Sequence, residues 1–193
     1  MISAIILAAG ASTRMGQPKM LLPWGNSTVL AHVISIFQEA GLDDICVVTG
    51  SARERVEELI SGLQVRVIHN RDFESGEMLS SVQCGIRSLT LRTKGVLIGL
   101  GDQPQVQKGS VQMVQEAFEA SGSNLILPSY QMRRGHPWLV ARPLWGDLLK
   151  IMPPQSPRDF LNAHSSEIHY VNVDDPNILA DLDTPEDYQK WSA

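Results

Sequence analysis

The feature that most constrains this chain is a regular alternation of two residue patterns. Strand-length, mostly apolar runs at residues 4–8, 45–49, 65–68 and 95–100 are separated by segments in which apolar residues recur at helical spacing. In residues 29–40, Val29, Val33, Ile36, Phe37 and Ala40 fall on one side, and Gly41 follows as a C-cap. In residues 53–60, Val56, Leu59 and Ile60 face inward while Glu54, Glu57 and Glu58 face out. Residues 79–89 and 111–120 read as further helices, and 125–128 as a strand. Apolar strands joined by amphipathic helices are parallel strands buried on both faces. The expected fold is therefore α/β: a doubly wound, mostly parallel sheet, Rossmann-like, with helices on both faces and right-handed crossovers.

After Pro128 the pattern changes. Residues 130–134 and 137–141 flank Gly135-His136, which predicts a hairpin or antiparallel addition in the C-terminal half. Residues 143–150 read as a helix, 152–157 as a proline-rich loop, 158–163 as a short helix and 167–173 as a strand. A closing helix spans 185–191, with Thr184 as N-cap and Pro185 at its first position. No repeat, low-complexity tract or linker interrupts the 193 residues, so one domain over 1–193 is expected.

Composition excludes several classes. A net charge of −5 argues against a general nucleic-acid or anionic-membrane binder. The longest apolar run, residues 4–9, is too short to span a bilayer and lacks the basic flank of a signal peptide. Cys46 and Cys84 form neither a disulfide framework nor a metal-ligand spacing. A cytoplasmic protein with small-molecule partners fits best.

Three segments carry chemistry. The first is the loop leaving strand one, Leu7-Ala8-Ala9-Gly10-Ala11-Ser12-Thr13-Arg14-Met15-Gly16-Gln17-Pro18-Lys19. Ligands of parallel sheets sit beyond the carboxyl ends of the strands, and a small-residue loop there offers backbone N–H groups to an anion. Arg14 can fork onto phosphate oxygens, and Lys19 can act as a mobile point charge. Neither a Walker A loop nor the G-x-G-x-x-G fingerprint fits this spacing. The second is Gly101-Asp102-Gln103-Pro104, which ends strand four. Asp102 there either holds Mg²⁺ against phosphate or caps the next helix. The third is Asp181-Leu182-Asp183-Thr184-Pro185. In an extended segment both aspartates share a face and Leu182 points into the core. Asp183 or Thr184 could instead cap the last helix. A weaker signal is Arg133-Arg134-Gly135-His136-Pro137, which concentrates positive charge beside a titratable ring and would suit a phosphorylated acceptor. His32, His164 and His169 suggest no role. Trp24 is read as a packing residue.

Together, LAAGASTRMGQPKMLLPWG at residues 7–25, Gly101-Asp102-Gln103-Pro104 and the Asp181–Asp183 block resemble the MobA-like nucleotidyltransferases. The similarity is greatest to the molybdenum cofactor cytidylyltransferase branch. That resemblance implies that Leu7, Ala8, Ala9, Gly10 and Ser12 hold the nucleotide, with Arg14 and Lys19 on its phosphates. It implies Gly101, Ser80 and Ser81 beside the nucleotide, and more weakly Asn70. Asp102 and Asp181 would hold Mg²⁺, with Asp183 the second choice. Arg14, Lys19 and Asp102 would be catalytic, and Gly135, His136 and Arg158 would line the acceptor site. The Ala8-Ala9-Gly10 form favours CTP, and the implied acceptor is the terminal phosphate of the molybdenum–pterin cofactor. A molybdoenzyme would be the partner receiving the product. The family's usual stretch before the last strand is replaced here by Pro154-Gln155-Ser156-Pro157-Arg158-Asp159. The competing readings are transfer to a sugar or polyol phosphate, and a non-catalytic cofactor-binding maturation factor.

Overall fold

The computed structural model describes residues 1–12, 15–75 and 77–192. Its centre is the first apolar run. Strand β1 (Ile2–Ala8) alternates its side chains between two apolar layers. Ala4, Ile6 and Ala8 join one buried cluster, and Ile5 and Leu7 join the other. Both layers need a cover of helices, and the amphipathic segments supply it.

On one face lie α1 (Val29–Glu39), α2 (Arg53–Leu59) and α4 (Lys108–Ser121), contributing Val33, Phe37, Val56, Val111 and Val114. On the other lie α3 (Glu77–Arg87), α5 (Trp145–Lys150) and α6 (Pro157–Ala163), contributing Val82, Ile86, Leu148 and Phe160. The apolar side expected for α1 is buried at all five positions. Its ends follow their sequence signals. Thr28 Oγ1 accepts from the Ala31 N–H at 3.4 Å. Gly41 sits at φ 90°, where the Leu42 N–H can reach back to the Phe37 carbonyl.

The main sheet runs β10 (Ile168–Asn172), β7 (Leu125–Tyr130), β9 (Trp138–Ala141), β6 (Gly95–Leu100), β1, β4 (Ile45–Thr49), β5 (Arg66–His69). β1 pairs in parallel with β4 on one side and β6 on the other. The chain therefore grows outward through β4 and β5, then returns to start again at β6. The carboxyl ends of β1 and β6 form the topological switch point, with Leu7 opposite Leu100. The antiparallel addition is β9, which sits between β6 and β7 and opposes both.

Three details depart from the sequence reading. The turn is not at Gly135-His136. It lies at Gln131-Met132, both left-handed (φ 48° and 65°), between β7 and a two-residue strand β8 (Arg133–Arg134). Strand three is an exposed edge rather than a buried strand, because β5 has a single neighbour. A small hairpin, β2 (Pro23–Trp24) and β3 (Ser27–Thr28), was not foreseen. Its Trp24 packs on a cluster of Met15, Leu22, Val29 and Leu182. The closing helix α7 (Pro185–Ser192) starts as expected. Thr184 Oγ1 accepts from the Asp187 N–H, and the Asp187 carboxylate accepts from the Thr184 N–H at 2.9 Å. No helix among the described residues is long and apolar enough to cross a membrane.

Candidate active site

Two connected clefts open at the carboxyl end of the sheet. The first, of about 430 Å³, lies over the switch point and is lined by Leu7, Ala9, Gly10, Ser12, Lys19, Ser81, Asp102, Asp181 and Asp183 among others. The glycine loop is held in place by its neighbours. Ser51 Oγ donates to the Gly10 carbonyl at 3.0 Å. Gly50 packs so closely that an added Cβ would collide with the Ala9 carbonyl oxygen. Ser12, at φ 50°, turns its hydroxyl to accept from the Lys19 N–H at 3.2 Å.

Lys19 opens a short 3₁₀ turn, Lys19–Leu21, and its ammonium reaches Asp102 Oδ2 at 2.6 Å and Asp183 Oδ1 at 3.0 Å. Burial alone would lower the lysine pKa. The charges and hydrogen bonds of Asp102 and Asp183 together outweigh it, and the net direction is up. Asp102 follows β6 after one intervening residue. The backbone can pass there because residue 101 is glycine. A Cβ on Gly101 would stand 2.9 Å from the Leu7 carbonyl oxygen and 3.0 Å from Met20 Sδ.

The third carboxylate arrives from the far end of the chain. Residues 175–183 form a thread that crosses the strand ends. The His136 N–H donates to the Ile178 carbonyl at 3.1 Å, Gln105 Nε2 to the Ala180 carbonyl at 2.7 Å, and the Leu182 N–H to the Asp102 carbonyl at 3.3 Å. Leu182 is fully buried, so Asp181 and Asp183 flank an anchored residue. Gln103 Nε2 donates to Asp181 Oδ1 at 2.7 Å. Burial of its inner side raises the Asp181 pKa, as do the Asp102 and Asp183 charges, against the pull of Gln103 and Lys19.

Among the described residues lining this cleft, three carboxylates face one ammonium. That surplus of hard, anionic oxygen suits a divalent cation. No cluster of three or more His, Cys, Asp or Glu among the described residues could hold a metal by itself. Two aspartates completed by phosphate oxygens is the arrangement the donor set fits. Phe73 and Met78 add apolar surface to the lining. Phe73 carries no sequence signal, whereas Met78 stands near the place of a Gly-Met pair in the family pattern, with Glu77 inserted before it. Buried Asn70 donates through Nδ2 to Ser80 Oγ at 2.8 Å and Ser81 Oγ at 3.0 Å, fixing both hydroxyls at the start of α3.

Not every expected residue reaches the cleft. Ala8 is buried beneath the loop, and Ala8, Ser80 and Gly101 are absent from its lining. Gly101 instead gives the close packing that puts Asp102 there. Arg14, expected on the phosphates, lies outside the described residues.

The second cleft, of about 920 Å³, is lined by Gly135, His136 and Arg158, together with Arg133, Arg134 and Trp138. Gly135 leaves no room for a side chain, since a Cβ would stand 2.5 Å from the Ile178 carbonyl oxygen. Arg134 is braced by the Tyr170 hydroxyl at 2.8 Å and Asn162 Oδ1 at 3.1 Å. His136 corrects the sequence reading. Its ring stacks on Trp138 at 4.5 Å, and its Nε2 is shut away from solvent without a hydrogen-bond partner. Loss of solvent pushes its pKa down to about 3, so the ring is neutral and the positive charge here belongs to the arginines. Asp181 lines both clefts.

This fold and this pair of clefts define a nucleotidyltransferase, and the chain belongs to the MobA-like NTP transferase domain family, whose profile matches residues 4–168. It is 30% identical over 189 residues to the molybdenum cofactor cytidylyltransferase of Escherichia coli K12, covering 97% of this chain and 93% of that protein. Among solved structures, a nucleotidyl transferase from Methanothermobacter thermautotroptrophicus (Mth528) superposes with a TM-score of 0.84 at 27% identity, covering 100% of this chain and 96% of that one. Rv0371c of Mycobacterium tuberculosis H37Rv, solved in complex with manganese, superposes with a TM-score of 0.81 at 25% identity, covering 99% and 97%.

Proposed function

We propose that this enzyme transfers a cytidylyl group from CTP to the terminal phosphate of the molybdenum–pterin cofactor, releasing pyrophosphate, in an Mg²⁺-dependent reaction in the cytoplasm. The observation that carries this reading is the convergence of the glycine loop, Asp102 and Asp181 on one cleft that opens through Asp181 into an arginine-lined second cleft. CTP fits the first cleft, with its phosphates along the loop of residues 9–12 and its base toward Phe73 and Met78. The acceptor phosphate fits the second, where Arg133, Arg134 and Arg158 supply the charge and neutral His136 with Trp138 supplies a flat apolar wall.

An acceptor phosphate oxygen attacks the α-phosphorus in line, and the bond from that phosphorus to the pyrophosphate oxygen breaks. Lys19 leaves its aspartate partners for the phosphates, and Arg14 joins it there. Asp102 and Asp181 would hold a divalent cation, which would supply charge stabilisation for the phosphates as the pyrophosphate leaves. The protein contributes position and charge, and no covalent nucleophile is needed. The 30% identity to the E. coli enzyme supports the choice of CTP and cofactor. A molybdoenzyme is the expected recipient of the product, and neither nucleic acid nor membrane is an expected partner.

The test is a single-turnover assay with α-labelled CTP, Mg²⁺ and the molybdenum cofactor, run beside a panel of sugar and polyol phosphates and the other nucleoside triphosphates. Label appearing on the cofactor from CTP supports the reading. Label moving only to a sugar or polyol phosphate overturns the acceptor, and preference for another triphosphate overturns the donor.

A further inference from the structure

Gln103 stands directly after Asp102, is only 3% exposed, and lines the second cleft. Its two amide atoms have different fates. Nε2 donates to Asp181 Oδ1 at 2.7 Å, while Oε1 is buried without a hydrogen-bond partner. The reverse orientation would set the amide oxygen against a carboxylate oxygen, so the contact to Asp181 decides which way the amide points. Gln103 also borders a small void with Val33, Phe37 and Val106, where an apolar residue would satisfy packing as well. The unpaired oxygen costs free energy, and the charge-assisted hydrogen bond from Nε2 to the Asp181 carboxylate is what offsets it.

Asp181 needs holding. It is an exposed residue, and its carboxylate is crowded by the like charges of Asp102 and Asp183. Coulomb repulsion would swing it away from Asp102, out toward solvent or into the second cleft. The hydrogen bond from the Gln103 amide opposes that swing.

We propose that Gln103 is a positioning residue: its side-chain amide fixes the Asp181 carboxylate in the shared wall between the two clefts, in the orientation that a metal-bound triphosphate requires. This rests on the reading of Asp181 as a metal ligand. Gln105 provides the control. Two residues further on, it is also buried with an unpaired Oε1 and also donates to the thread, but to the Ala180 backbone carbonyl at 2.7 Å rather than to a carboxylate.

The readout is the gain in CTP affinity given by Mn²⁺, measured by titration calorimetry with Mn²⁺ and again with EDTA, in the full chain without acceptor. Gln103→Met keeps the volume and removes the donor. Gln103→Asn keeps an amide but shortens its reach. Either carries the test if the other fails to fold. The expected result is a loss of about tenfold or more in the Mn²⁺-dependent gain, as outer-shell partners of metal ligands give. CTP affinity in EDTA should be unchanged. Gln105→Met should lower the melting temperature while keeping most of the gain. An undiminished gain in the Gln103 variants overturns the inference. So does an equal loss in Gln105→Met, which would make Gln103 a mere anchor of the thread. Absence of any Mn²⁺-dependent gain in the unmodified chain overturns the metal reading of Asp181 itself, and this inference with it.

Discussion

The Leu182 N–H donates to the Asp102 carbonyl at 3.3 Å, joining two residues that lie 80 positions apart in the chain (182 − 102). Through that bond and the burial of Leu182 among Met15, Leu22 and Val29, the thread carrying Asp181 and Asp183 is seated beside the end of β6. Leu182→Ala should cost about 2–5 kcal/mol of stability, as a truncated, fully buried leucine does. It should also weaken metal-dependent CTP binding. Leu182→Met, which keeps the volume, should cost less than about 1.5 kcal/mol. Urea denaturation and titration calorimetry on the two variants check this pair of outcomes.

Lys19 serves two partners in turn. Without ligands its ammonium neutralises Asp102 and Asp183, and in the proposed reaction it turns to phosphate. Lys19→Met should therefore reduce kcat/KM by about 10²–10³-fold, the scale of losing one preorganised donor to developing charge. The same variant should bind Mn²⁺ more tightly than the unmodified protein when no nucleotide is present, because two carboxylates lose their internal cation. Weaker Mn²⁺ binding would contradict this account of the ion pair.

Neutral His136 gives the protein an acid-sensitive fold. Unfolded, its ring binds a proton as the pH falls below the ordinary 6.5, whereas folded it resists protonation down to about 3. The unfolded state then holds more protons across that window. The contribution of the neutral ring is complete above pH 6.5 and is lost progressively as the pH falls toward 3. The loss is up to a few kcal/mol. His136→Gln should flatten the fall of melting temperature over this range, while the two proteins keep similar slopes above pH 7. An equal slope in both would show that His136 does not contribute.

The glycine loop can be tested without disturbing the fold. A Cβ at Gly10 meets nothing within 4 Å, and this residue lacks a positive φ. Gly10→Ala should leave stability within about 0.5 kcal/mol. If the nucleotide lies against the loop backbone, the same methyl group should cut CTP affinity about tenfold, a clash worth roughly 1.4 kcal/mol. Gly50→Ala should damage both, because its Cβ strikes the loop itself at Ala9. Thermal melts and CTP titrations on the two variants separate these cases.

Much of the frame was legible because its causes are local. β4 and β6 have the predicted limits, since Ile45–Thr49 and Gly95–Leu100 are apolar runs closed by polar or glycine residues. The switch point followed from strand order, and it brought Lys19 and Asp102 together. The turn at Gln131-Met132 was not legible, because left-handed conformations there lack the Asn-Gly or Gly signal that normally marks them. The exposure of β5 depends on having no strand beyond it, which a four-residue segment cannot announce. The neutrality of His136 comes from Trp138 and the enclosing walls, and its sequence neighbours Arg133 and Arg134 point toward the opposite reading. Gln103 stands inside a recognised motif, yet its partner is 78 residues away, so its contact could be found only in three dimensions.

The thread from 175 to 183 comes after every strand of the sheet in chain order. A chain emerging from the ribosome therefore carries the glycine loop, Lys19 and Asp102 well before it has a second carboxylate to set beside them. Until Leu182 docks, the cleft lacks the wall that Asp181 supplies to both sides. A chain cut short of that thread would keep every strand of the sheet and still lack the carboxylates of Asp181 and Asp183.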